Sequence, residues 1–127
     1  MHVSPTVAAF LLITAVAAEA APFHVVSGQP IKLHFSYAVN PDCSPRGEIT
    51  VRVTSSPQHG QVSIVRAQDF PSFVNENPRS ICNRRRVPGV SLRYVSQRGF
   101  IGSDSFAVET VYPDGILRQN EYTIDVR

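Results

Sequence analysis

Apolar side chains return at every second position in segment after segment of this chain, and that one periodicity excludes most folds. Ile31, Leu33, Phe35 and Tyr37 alternate with Lys32, His34 and Ser36, and Ile49, Val51 and Val53 alternate with Thr50, Arg52 and Thr54. The pattern returns at Val62 and Ile64, at Val90, Leu92 and Tyr94, at Phe106 and Val108, and at Tyr122, Ile124 and Val126. Successive side chains of a strand point to opposite faces, so a period of two marks a strand with one face buried. Six strands are predicted in this way, with a seventh at residues 23–26, and no segment shows the period of an amphipathic helix. Turn residues separate them at Asn40-Pro41-Asp42, Ser56-Pro57-Gln58-His59-Gly60, Arg98-Gly99 and Tyr112-Pro113-Asp114-Gly115. There proline presets φ, and glycine or Asp tolerates the left-handed region. Together these signals predict an all-β fold, an antiparallel sandwich of about seven strands.

Residues 67–89 break the rhythm. A stretch that long without alternation is functional, disordered or pinned, and Cys82 supplies a pin. The chain has only two cysteines, Cys43 and Cys82. Residues 7–18 form an apolar run too short to span a bilayer, followed by the A-x-A site Ala18-Glu19-Ala20, although no Lys or Arg precedes the run. Residues 1–20 therefore read as a secretory signal and residues 21–127 as one secreted or periplasmic domain with no later membrane span. An even cysteine count behind such a signal reads as a disulfide, here Cys43 to Cys82. The bridge would tie the long segment to the 40–47 loop, with Phe70 and Phe73 forming a small satellite core beneath.

Several of these segments carry a resemblance. Pro57-Gln58-His59-Gly60-Gln61-Val62, Leu92-Arg93-Tyr94, Gly99-Phe100-Ile101-Gly102-Ser103-Asp104-Ser105-Phe106 and Asp114-Gly115 before a closing alternating strand resemble the bacterial immunoglobulin-like or cadherin-like repeats of surface and secreted proteins. The likeness covers residues 47–127 well and 23–46 loosely. It implies a sandwich, and it implies little about function, because such modules serve as spacers, adhesive domains and stalk units alike. Here there is a single copy, Asp42-Cys43 stands where Asp-Gly is common, and the Arg-rich loop around Cys82 is an addition.

Candidate chemistry is sparse. Asp104 begins a strand after Gly99 and Gly102, and its carboxyl group is expected to accept backbone N–H groups, with His59 and Gly60 in the neighbouring turn. Calcium would need a ligand run that Asp42, Asn75, Glu76, Asn77 and Asp114 do not form. The spacing of His24, His34 and His59 does not suit a transition metal. Ser103 and Ser105 lack a nucleophile elbow, so neither enzyme nor cofactor chemistry is expected. Arg79, Arg84, Arg85 and Arg86 cluster about Cys82. Guanidinium forks match carboxylate and phosphate geometry, which suits an acidic polysaccharide, a lipid head group or an acidic patch on an envelope protein. No aromatic residues interleave them, so nucleic acid is not expected. The resulting expectation is a non-enzymatic binding or adhesion module. Its rival is a structural subunit of a cell-envelope assembly that pairs through an exposed edge strand.

Overall fold

The computed structural model describes residues 2–15 and 21–127. The predicted cleavage site at Ala18-Glu19-Ala20 lies outside the described residues. Residues 2–15 carry no helix or strand, and Phe10, Leu11, Leu12 and Ile13 are almost fully exposed. No helix among the described residues is long and apolar enough to cross a membrane.

The ordered body has seven strands: β1 (Phe23–Val25), β2 (Ile31–Tyr37), β3 (Thr50–Ser55), β4 (Gly60–Asp69), β5 (Val87–Ser96), β6 (Gly102–Val111) and β7 (Leu117–Val126). They form two sheets, one ordered β1-β7-β6-β3 and the other β2-β5-β4. Every pairing is antiparallel except that of β1 with β7. The β1 partnership covers only Ile124 to Val126 of β7, so the first half of β7 has no strand beside it on that edge among the described residues.

The main core lies between the sheets. Leu92 and Tyr94 of β5 meet Phe106 and Val108 of β6, with Ile124 and Val126 of β7 and Val25 of β1 closing the side. Stacked rings run through it, from Tyr94 to Phe106 at 5.9 Å and from Phe106 to Tyr122 at 5.1 Å between centroids. Each fully buried side chain of this size contributes roughly 1.5–3 kcal/mol.

Strand β2 departs from the expected alternation. Ile31 and Leu33 pack on the main core, but the register slips between Lys32 and His34. Such a bulge adds a residue to one strand and reverses the facing of the residues after it. On the far side of the bulge, His34 lies opposite Leu92 and Ser36 opposite Val90, on the core-facing side, while Phe35 and Tyr37 turn outward. The four apolar residues read as one face are thus divided between two.

Phe35 has an apolar shelter of its own. It joins Val39, Cys82 and Val87 in a second core on the outer face of the β2-β5-β4 sheet, with Tyr37, Cys43, Ala67 and Phe73 packed around it. The long segment roofs this core. Strand β4 runs on to Asp69 and β5 begins at Val87, so the segment is shorter than predicted, and it contains a 3-10 helix, Pro78–Arg84, that the periodicity did not show. Asn77 caps that helix by accepting from Arg79 N, with proline at its start where no donor is needed. The Asn83 amide exchanges two hydrogen bonds of 2.8 Å with the backbone of Phe73, fastening the roof to itself. Phe73 belongs to the satellite core. Phe70 does not, being 49% exposed beneath the guanidinium of Arg86.

Candidate functional site

Cys43 and Cys82 are bridged, and no cysteine among the described residues is free. The bridge brings the 40–47 loop against the helix of the roof, and the arginines around Cys82 diverge from there. Arg79 turns back toward β2, where its Nε donates to Val39 O at 2.8 Å. Arg86 lies over the Phe70 ring, 5.5 Å from its centroid. Arg85 contributes to holding the Asp42 carboxyl below the usual range, an effect due first to the hydroxyl and N–H of Ser44. Arg84, Arg85 and Arg86 are exposed. The four arginines therefore do not form one set, because Arg79 is separated from the other three.

Arg79 instead joins Arg46 and Arg118. These three, with His34, Asn77 and Tyr112, line a cleft of about 380 Å³ at one end of the sandwich, within the range of small ligand sites. Each wall has a local cause. The bulge in β2 places exposed His34 and buried Ser36 on the core-facing side of the strand, and buried Thr110 of β6 faces them from the other sheet. Arg118 pairs with Thr110 across the β6–β7 ladder, so it too faces inward, beyond the reach of β1. Polar residues thus stand beside Val90 and Val51 on the core-facing sides of both sheets at this end. On the outer side the roof supplies Phe73, Asn77 and Arg79. Arg46 comes from the 40–47 loop, whose Gly47 lies against the Pro113 ring of the β6–β7 turn.

The charge in this cleft is one-sided. Lys32, Arg52, Arg66 and Arg127 each have a carboxylate within 4 Å. Arg46, Arg79 and Arg118 have none among the described residues. The single acidic residue of the lining, Asp114, accepts from Ile116 N at 3.1 Å within its own turn. Desolvation holds the His34 imidazole below its ordinary pKa, so the positive charge at neutral pH comes from the guanidinium groups.

Asp104 sits at the opposite end and is saturated. One side-chain oxygen accepts from Gln58 N and Ser105 N, and the other from His59 N and the Tyr94 hydroxyl, at 2.7–3.2 Å. Burial first, and Asp104 second, hold the Tyr94 phenol far above its ordinary pKa. His59 stacks on Phe100 at 4.1 Å, while Gly99 (φ 82°) and Gly102 (φ 138°) shape the turn beyond. Gly60 is not left-handed, contrary to the turn reading. Its role is spatial: a Cβ there would meet Tyr94 ring atoms at 2.7 Å and Val95 O at 2.5 Å. This constellation binds the β3–β4 turn to β5 and β6, with each Asp104 oxygen accepting twice.

Among the described residues no three His, Cys, Asp or Glu groups are placed to hold a metal ion. His24 binds Asp125 at 2.9 Å, and Asp125 lies opposite Ser103 in the ladder. Arg46, Arg118 and His34 were not singled out as a site by sequence reasoning. Arg46 and Arg118 come a few residues after the two Pro-Asp turns at 41–42 and 113–114, but nothing in the sequence places those turns side by side. Compared with known proteins, the chain matches no family model, no curated protein and no solved structure.

Proposed function

We propose that this chain is a secreted or periplasmic, non-enzymatic binding module that recognises an anionic partner in the cleft between β2 and the β6–β7 turn. One observation carries the reading: guanidinium groups from three separate stretches of chain, Arg46, Arg79 and Arg118, line one cleft with no carboxylate paired to them among the described residues. Unpaired arginines so gathered repel one another, and an anion relieves that repulsion while occupying their forks. The Cys43–Cys82 bridge and the apolar run near the N-terminus support an exported setting. The immunoglobulin-like reading draws support from the strand order. Strands β2, β5 and β4 face β3, β6 and β7, the neighbour relations of a seven-stranded immunoglobulin-type sandwich, with β1 moved beside the last strand.

Binding of a fluorescent heparin oligosaccharide and of a fluorescent oligoglutamate, monitored by anisotropy, tests the site. The double substitution Arg46→Ser with Arg118→Ser is expected to weaken binding of whichever polyanion is taken up by tenfold or more. Arg84→Ser with Arg85→Ser and Arg86→Ser is expected to weaken it less than threefold. Arg79 is left intact because it also holds Val39. The reverse pattern would move the site to the exposed roof.

A further inference from the structure

The cleft is lined by His34, Phe35, Ser36, Tyr37, Ala38 and Val39, six residues in unbroken succession. A cavity on one face of a sheet is lined by alternate residues, because neighbours point to opposite faces. Unbroken succession means that the cavity runs along the edge of the strand. Strand β2 is hydrogen-bonded to β5 on one side and is the border of its sheet on the other. Its border continues to Tyr37, after which the 40–47 loop takes over, Arg46 N donating to Ala38 O.

We propose that the occupant is an extended acidic peptide segment that pairs with the free edge of β2 as a further strand. This rests on the reading of the cleft as an anion site. An edge strand presents unpaired N–H and C=O groups at a fixed repeat, which a peptide matches and a sugar chain does not. The two walls, residues 73–79 outside and 112–118 inside, flank a ribbon placed there. Side chains of an added strand alternate between those walls. Arg79 stands on the outer one and Arg118 on the inner one, so acidic residues at successive positions each meet a guanidinium group. The chain's own apolar stretch at residues 2–15 contains no Asp or Glu and lacks the charge to match.

The test uses an eight-residue peptide with Val at its ends and Glu at the successive positions between them, so that both walls meet a carboxylate, with two derivatives N-methylated on alternate residues in either phase. A peptide with Lys in place of Glu and a heparin oligosaccharide complete the set. The parent peptide is expected to bind, to lose tenfold or more on Arg46→Ser with Arg118→Ser, and to slow hydrogen exchange within residues 34–37. Methylation in one phase should cost at least tenfold and in the other little, because only one edge of the peptide faces β2. Equal affinity of all three glutamate peptides would overturn strand addition while leaving the anion site standing. Binding of heparin but not of the peptide would do the same. Binding of the lysine peptide, or indifference to the arginine substitutions, would overturn both readings. Protection of residues 34–37 through self-association, without peptide, would assign the edge to a second copy of the chain and overturn the proposal.

Discussion

Cys43 and Gly115 occupy the same position in two turns built on the same three hydrogen bonds. In one, Cys43 N donates to Asn40 O, Asn40 N to Ser44 O, and Ser44 N to the Asp42 side chain. In the other, Gly115 N donates to Tyr112 O, Tyr112 N to Ile116 O, and Ile116 N to the Asp114 side chain. Both residues are left-handed, at φ 70° and 84°. Cys43 is the only non-glycine residue with positive φ among those described. A Cβ there costs about 1 kcal/mol, a cost the bridge to Cys82 offsets.

Two opposing effects can therefore be separated. Without the bridge, Cys43→Gly with Cys82→Ala should be about 1 kcal/mol more stable than Cys43→Ala with Cys82→Ala, since glycine relieves the left-handed strain. Both should fall roughly 2–5 kcal/mol below the bridged protein. Denaturant titration measures the three. Equal stability of the two double variants would show that the backbone at position 43 relaxes once the bridge is gone.

Asp104 and Tyr94 form one unit, and their effects should not add. Asp104→Ala removes the acceptor of three backbone donors and a buried phenol, and is expected to cost about 3 kcal/mol or more. Tyr94→Phe should cost about 1–2 kcal/mol, and the double variant less than the sum. Tyr94 also sets an alkaline limit. Its phenol keeps its proton in the folded chain at pH values where the unfolded chain ionises, so the folded state binds more protons. Stability should be flat in this respect below pH about 10, then fall as pH rises, by at most about 1.4 kcal/mol per pH unit for this group. Tyr94→Phe should flatten that fall, as alkaline denaturation curves would show.

The two-layer fold was legible because period-two patterning reports on facing and turn residues report on reversals, both local properties. Position 43 was legible too, as a departure from Asp-Gly. The bulge in β2 was not, since Ile31, Leu33, Phe35 and Tyr37 alternate without a break, and only the second core outside the sheet explains why Phe35 turns away. Arg79 was grouped with Arg84, Arg85 and Arg86 by closeness in sequence. A 3-10 turn of chain and a hydrogen bond to Val39 O take it elsewhere. The cleft joins residues from four separate stretches, and no local pattern records such a meeting.

Gly60 and Gly115 should respond differently to alanine. At Gly115 φ is positive but nothing lies within 4 Å of the added carbon, so Gly115→Ala should cost about 1 kcal/mol from backbone strain alone. At Gly60 the methyl group meets the Tyr94 ring and a strand carbonyl, neither free to move. Gly60→Ala should cost about 2–3 kcal/mol, as overpacking does. Tyr94→Phe should not relieve it, because the contact is with ring carbons rather than the hydroxyl alone. Thermal unfolding of the variants checks the ranking, and rescue by Tyr94→Leu would show that ring contact is the cause.

The roof over the second core is tied to its surroundings by the Cys43–Cys82 bridge and by hydrogen bonds from Arg79 Nε to Val39 O and from Ser72 N to the Tyr37 hydroxyl, and to itself by the paired bonds between Asn83 and Phe73. It contributes no strand to either sheet, so it can open while the sandwich stands, as regions with few ladder bonds do. Reduction of the bridge should therefore expose the bonds after Arg84, Arg85 and Arg86 to trypsin before the sandwich unfolds, and Asn83→Ala should speed that cleavage further. The fragments should remain folded together. Opening the roof also removes Arg79, Asn77 and Phe73 from one wall of the cleft. Affinity for an anionic ligand should fall upon reduction in parallel with tryptic sensitivity, even in protein whose strand signal by circular dichroism is unchanged. Reduced protein that is cleaved at the roof yet binds with undiminished affinity would show that Arg46 and Arg118 suffice without the outer wall.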